Sequence, residues 1–283
     1  MPRRIIDTHI HVWNFDKADY PWLKGNTTIL NRTYHIEELN GDTKKTGITD
    51  GILVQAANNK EDTNLMLEVA AKKEWIKGIV GWLPLMNPAE TEKALKVEYV
   101  RNKYFKGIRH LIHDEADPRW LLQDTVIQSL EIVAKHDLTY DVVGILPEHI
   151  VTSLKVAECI PSLKMVFDHL NQPPIASGEK FGQWGELMKE ASRHKNFYAK
   201  ISGLGTTAKK TNWGPDDIKP YIEFVIDHFG TDRCFCGGDW PVSLLAGDYS
   251  RTWNSYFEVI DSLLTEEQRE KVYYTTAASF YRL

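Results

Sequence analysis

Eight short apolar runs recur along the 283-residue chain, and a longer amphipathic stretch separates most neighbouring pairs. The runs cover residues 4–7, 51–56, 76–83, 105–110, 139–143, 164–168, 197–201 and 233–237. Helix-like stretches lie at 62–73, 88–102, 124–136, 146–159, 180–194, 215–229 and 251–264. Glu61-Asp62-Thr63 supplies acids and a cap at one helix start, and Asp216-Asp217 after Pro215 does so at another. Strand-like runs that alternate with helices imply parallel βαβ units, because a parallel strand needs a long crossover. Several runs are almost continuously apolar, as strands covered on both faces must be. The simplest arrangement of eight such units is a closed (β/α)8 barrel, the TIM-barrel fold, formed by residues 1–283 as a single domain. A doubly wound open sheet is the alternative, but no glycine-rich fingerprint follows the first run. Residues 12–49 are too many for one connecting helix. They predict an extended loop over the barrel mouth after strand 1, with Trp13, Tyr20, Pro21 and Trp22, followed by a helix near residues 35–45.

Charge and composition narrow the function. A net charge of −5 offers no basic footprint for nucleic acid or an anionic membrane. No apolar stretch has bilayer length. The basic N-terminus is not followed by an apolar signal region, so a cytoplasmic location is expected. Cys159, Cys234 and Cys236 are too few and too uneven for a disulfide framework, which fits a reducing compartment. Cys234 and Cys236 sit inside an apolar run, where cysteine acts as a small buried hydrophobe rather than a chelating pair. Oligomeric state is not legible.

Active sites of (β/α)8 barrels lie at the carboxyl ends of the strands. The runs end on a set of polar residues that this rule would bring together. Strand one leads into His9 and His11, which alternation places on one face. Strand two reaches Gln55, strand four reaches Arg109, His110 and then His113, and strand five carries Asp141. Strand six ends in Asp168-His169, strand seven carries Lys200 and Ser202, and strand eight leads into Asp239-Trp240-Pro241. His9, His11, His169 and Asp239 make a three-nitrogen, one-oxygen set of the kind that holds a catalytic Zn²⁺ with one position open. Asp239 is placed to serve as ligand, general base, or both. Arg109 suits a carboxylate, hydroxyl cluster or developing oxyanion. Adjacent strand residues face opposite ways, so Arg109 and His110 cannot both point inward unless the strand is already ending. His110 is the slightly favoured of the two, and His113 reads as a rim residue. Lys200 lies either inside the barrel or in a structural ion pair. The histidines on helix-like stretches, including His149, read as packing or surface residues. No Gly-x-Ser-x-Gly or phosphate-cradling loop is present, which disfavours a covalent serine or cysteine mechanism. Loop tryptophans, among them Trp22 and Trp240, either line a pocket for a ring-shaped ligand or cover the ends of the core.

Several segments together resemble the amidohydrolase superfamily, in the branch that holds sugar lactonases and 2-pyrone-4,6-dicarboxylate lactonase. They are Ile6-Asp7-Thr8-His9-Ile10-His11-Val12-Trp13, Tyr20-Pro21-Trp22-Leu23, Leu53-Val54-Gln55-Ala56, Gly81-Trp82-Leu83, Lys106-Gly107-Ile108-Arg109-His110, Phe167-Asp168-His169-Leu170, Lys200-Ile201-Ser202-Gly203-Leu204, Gly238-Asp239-Trp240-Pro241 and the terminal Ser279-Phe280-Tyr281-Arg282-Leu283. They span nearly the whole chain in order and look most similar to the L-fuconolactonase and L-rhamnonolactonase group. The resemblance implies a (β/α)8 barrel that hydrolyses a sugar-acid lactone, a small-molecule partner. It maps the first-strand histidine pair onto His9 and His11, the sixth-strand histidine onto His169, the eighth-strand aspartate onto Asp239 and the strand-four basic pair onto Arg109 and His110. Catalysis then falls to Asp239, His169 and His110, and the substrate to Arg109, His110, Trp22, Trp240 and Gln55. Asp141 stands where a binuclear member would place a histidine, so a binuclear centre is not expected. The resemblance leaves open one divalent ion, such as Zn²⁺, on His9, His11, His169 and Asp239, or a metal-independent route. Two rival readings are a metal-dependent decarboxylase of an aromatic or unsaturated acid and a non-catalytic sugar-acid binding barrel.

Overall fold

The computed structural model describes residues 3–283; Met1 and Pro2 of the basic N-terminal stretch lie outside the described residues. The eight strands are β1 (Ile6–Ile10), β2 (Asp50–Val54), β3 (Ile76–Gly81), β4 (Phe105–His110), β5 (Thr139–Val142), β6 (Met165–Phe167), β7 (Phe197–Ile201) and β8 (Cys234–Cys236). They lie side by side in chain order, and every neighbouring pair is parallel. The barrel closes where β8 returns to β1. There Ile10 bridges Trp240 in parallel, His11 N–H donates to the Trp240 carbonyl at 2.7 Å, and Asp239 N–H donates to the His9 carbonyl at 2.7 Å. The eight-unit (β/α)8 architecture is therefore as expected.

Alternation along the strands builds two packing layers. Ile6, Ile52, Val54, Val80, Val166 and Phe235 face the barrel interior and pack against Ala277, Phe280 and Tyr281 of the last helix, Thr276–Tyr281. Ile10, Leu53, Ile79, Ile108, Val142 and Phe167 belong to the larger cluster shared with the surrounding helices. Both faces are thus apolar, which explains the near-continuous hydrophobic runs. Cys234 and Cys236 are buried and unpaired, as small hydrophobes.

Most boundaries fall within two residues of expectation, and the two largest departures are in the first strand and at residues 88–102. The first strand begins later and runs through His9, because its ladder to β2 shifts register between Asp7 and Ile10. Such an irregularity re-aims side chains: Ile6 belongs to the inner cluster, whereas Ile10 has moved to the outer one. His9 and His11 consequently face inward. The stretch expected as one helix at 88–102 is α-helical only over Pro88–Ala94 and continues as a π-turn, Leu95–Tyr99.

The long connection after β1 is held over the mouth by specific bonds. Trp13 and Tyr34 exchange two backbone hydrogen bonds, the Trp22 indole N–H donates to the Ala56 carbonyl at 2.7 Å, and the Tyr20 hydroxyl donates to buried Asp62 at 2.9 Å. No helix among the described residues is long and apolar enough to cross a membrane.

Candidate functional site

A pocket of about 230 Å³ opens at the carboxyl ends of the strands. It has room for one sugar ring. His11, Trp22, Arg109, His113, His169, Gln172, Thr206 and Asp239 line it together with Ala56, Leu111, Val143, Ile145 and Val242.

Asp239 lies at the centre of the polar group. One carboxylate oxygen is 3.4 Å from His11 Nε2, 3.7 Å from His9 Nε2 and 4.0 Å from His169 Nε2. Its backbone adopts a left-handed φ of 56°, as do four residues in succession at the end of β6: His169, Leu170, Asn171 and Gln172. Left-handed non-glycine residues cost of order 1–3 kcal/mol each and concentrate at functional sites. Asp7 supports the β8 end of this arrangement. Its buried carboxylate accepts from Gly238 N–H at 2.7 Å, His9 N–H at 2.9 Å and the Tyr249 hydroxyl at 2.6 Å. Burial lifts the Asp7 carboxyl to about 6 against the pull of those donors.

Hydrogen bonding orients the imidazoles. His11 Nδ1 lies 2.8 Å from the Val54 carbonyl, an acceptor, which places the proton on Nδ1 and the lone pair on Nε2. His9 Nδ1 faces the Asp168 carboxylate at 3.4 Å, which favours the same tautomer. The two Nε2 atoms then present lone pairs to one another at 3.1 Å. Burial pushes His11 below, and His9 well below, the ordinary imidazole range, so both rings are neutral at pH 7. Arg109 Nη1 meets the same His9 Nε2 at 3.2 Å, and a divalent ion in this donor set would take that lone pair in its place. Ligand atoms of His9, His169 and Asp239 all fall within 4.8 Å of one another, and His11 flanks two of them. This donor set fits one divalent ion. His169 is steered by Ser202, whose Oγ lies 2.9 Å from its Nδ1 and accepts its backbone N–H at 3.2 Å.

β4 resolves the conflict between its adjacent basic residues. Arg109 points inward. It donates to Asp168 at 3.0 Å, to His9 Nε2 at 3.2 Å, to Gln55 Oε1 at 3.2 Å and to the Gln55 carbonyl. His110 points the other way and does not line the pocket, contrary to the substrate contact expected of it. Its ring stacks on Trp120 with centroids 4.0 Å apart, accepts from the Trp82 indole at Nδ1 (3.2 Å) and meets Glu115 through Nε2 at 2.7 Å. A tryptophan N–H can only donate, so His110 carries its proton on Nε2. Burial lowers its pKa.

Two other expected substrate contacts lie elsewhere. Trp240 is buried edge-on against Tyr34, with centroids 5.5 Å apart, because its backbone closes the barrel and draws the ring into the core. Gln55 stands behind Arg109 and holds it. The structure brings His9, His11, His169, Asp239, Arg109 and Trp22 together. Sequence reasoning passed over Gln172, Thr206, Leu111, Val143 and Ile145 as pocket residues; all follow strand ends, and that position was the available signal. His113 does sit on the pocket rim.

Gly203, with φ of 60°, is a steric requirement of the site. A Cβ there would lie 2.5 Å from His169 Nδ1 and 3.0 Å from Asp239 Oδ2. Gly203→Ala is expected to displace both groups and to lower kcat by about 10²-fold, the scale of a misplaced reacting group. Steady-state kinetics check this, and an unchanged kcat would refute it.

The amidohydrolase family profile matches residues 6–283. An L-fucono-1,5-lactonase from Burkholderia ambifaria is 32% identical, the alignment covering 98% of this chain and 95% of the other. An L-rhamnono-gamma-lactonase from Scheffersomyces stipitis is 24% identical, with 99% of each chain covered. The crystal structure of an amidohydrolase from Burkholderia multivorans with bound zinc superposes with a TM-score of 0.89 at 27% identity, over 99% of both chains. These relatives, and an inward-facing polar cluster at the mouth of a parallel (β/α)8 barrel with His9, His11 and His169 around one carboxylate, place the chain in the class of barrel hydrolases. The chain belongs to the amidohydrolase family.

Proposed function

We infer that the protein is a lactonase that opens a sugar-acid lactone of the L-fucono or L-rhamnono type by adding water to the ring carbonyl. The observation that carries this reading is the convergence of a carboxylate, two imidazoles and a guanidinium on a pocket of single-sugar size, with the His9 imidazole buried directly behind them. Neither serine nor cysteine lines that pocket, so water is the natural nucleophile. The lactonase activity of the relatives supports the same reaction.

Asp239 takes the proton from the attacking water and returns it to the ring oxygen as the C–O bond breaks. Arg109 has three of its five N–H groups engaged by Asp168 and Gln55, and a fourth rests on His9 Nε2 wherever no ion takes that lone pair. The second Nη2 N–H is free to meet the developing oxyanion, and the bonds to Asp168 and Gln55 keep the guanidinium still. Gln172 accepts from Thr207 through Oε1 at 2.9 Å, which leaves its amide N–H groups for substrate hydroxyls. The face of Trp22 offers a surface for ring C–H groups while its indole N–H stays on Ala56. A divalent ion held by His9, His11, His169 and Asp239 would supply Lewis acidity toward the carbonyl.

The test is a pH-indicator screen of a lactone library with and without chelator, followed by metal analysis of the purified protein. Acid release from one or more sugar lactones is expected, with about one divalent ion per chain and loss of activity on chelation. Carbon dioxide release from an aromatic acid with no lactone opened would assign the decarboxylase reading instead. Binding without acid release would assign a non-catalytic barrel.

A further inference from the structure

The two sides of the pocket differ in chemistry. Asp239, His169, Gln172 and Thr206 stand at the ends of β6, β7 and β8. Leu111, Val143 and Ile145 stand at the ends of β4 and β5. The pairing of His110 with Val142 sets Leu111 and Val143 side by side one residue further on. Both are nearly buried, whereas Ile145 remains 50% exposed above them. That exposure is built in. His149 Nδ1 accepts the Ile145 N–H at 3.0 Å and the Leu146 N–H at 3.3 Å, and a Cβ on Gly144 would lie 2.3 Å from Asn171 Oδ1. The loop is thus pinned with an apolar side chain held over the mouth. His113 is the polar neighbour on this side; its Nδ1 is turned to the Val143 carbonyl at 3.3 Å, and its Nε2 lies 3.6 Å from the Asp114 carboxylate. A ligand hydroxyl placed against Leu111 and Val143 would leave water for apolar side chains, whereas a methyl group would gain from them.

We propose that Leu111, Val143 and Ile145 form a subsite for a methyl group on the lactone, so that the enzyme selects 6-deoxyaldonolactones over their 6-hydroxy counterparts. This inference rests on the lactonase reading. In a 1,5-lactone the carbon that bears the substituent is bonded to the ring oxygen, so the group lies close to the scissile bond. Leu111 is correspondingly two residues from Arg109. An apolar pocket gains from a methyl and rejects an added hydroxyl only moderately, which sets the expected preference at about ten- to a hundredfold in kcat/KM.

The experiment compares kcat/KM for L-fucono-1,5-lactone with L-galactono-1,5-lactone, which differ only in the hydroxyl on C6. L-rhamnono- and L-mannono-lactone are compared in the same way. Both pairs are run on the native protein, on Ile145→Ser, whose site is exposed and tolerant, and on Val143→Thr. At least a tenfold preference for the deoxy member of one pair is expected, falling by about fivefold or more in either variant. Equal rates within both pairs, or a preference that neither variant changes, would overturn the methyl subsite and leave the lactonase reading standing. If no lactone is opened at all, the lactonase reading falls and the subsite falls with it.

Discussion

Asp239→Asn should lower kcat by roughly 10²–10⁴-fold, the contribution typical of a general acid–base group. Asparagine keeps the shape of the side chain but cannot take a proton from water, and it is a weaker cation ligand. The fold should survive for two reasons. Asparagine is among the few side chains that adopt a left-handed backbone readily, so φ of 56° is not an added burden. The bonds that fix this segment, Asp239 N–H to the His9 carbonyl and Ser243 N–H to the Asp239 carbonyl, both at 2.7 Å, are made by the backbone. Lactone hydrolysis, metal content and thermal unfolding measured on the same preparation separate the effects. Normal turnover in the variant would remove Asp239 from the proton-transfer role, whatever its metal content.

The barrel was legible because its signal is repetitive. Two-sided burial writes eight apolar runs, and helix caps mark the spaces between them. His9, His11, His169 and Asp239 were legible because a strand end is a fixed position in this fold. What lay beyond reach depended on parity and on backbone conformation. The register shift in β1 turns His9 inward after Ile6, and nothing in Ile6-Asp7-Thr8-His9 announces it. Alternation required one of Arg109 and His110 to face away. The choice was made by buried partners remote in sequence, Asp168 for the arginine and Trp82 with Trp120 for the histidine. The four left-handed residues from His169 to Gln172 contain no glycine, the residue that usually marks such a turn. Trp22 and Trp240 looked alike as loop tryptophans, yet one lines the pocket and the other packs on Tyr34.

Lys200→Met should destabilise the protein by about 3–5 kcal/mol, the cost of leaving buried charges without their partner. The ammonium is fully buried, 2.5 Å from Asp141 and 2.7 Å from Asp168. The two carboxyls respond differently to that setting. Burial lifts Asp141 to about 6 despite the attraction of Lys200. Burial also pushes Asp168 upward, but Lys200, His9 and Arg109 together outweigh it and hold Asp168 well below its ordinary value. Removing the lysine therefore strands Asp141, which keeps the Tyr281 hydroxyl at 2.8 Å, while Asp168 keeps Arg109 at 3.0 Å. A Lys200→Met, Asp141→Asn double variant should for that reason recover most of the lost stability, because it deletes the stranded charge along with its partner. Urea unfolding of the native, single and double forms measures the recovery directly. A single variant as stable as the native protein, or a double variant no better than the single one, would show that these charges are not energetically linked. The same network lies directly beneath the site: Asp168 contacts both His9 and Arg109. Loss of Lys200 should accordingly lower kcat as well as stability, and the double variant should regain stability more fully than activity, since Asp168, which faces both His9 and Arg109, loses its 2.7 Å ammonium partner in both.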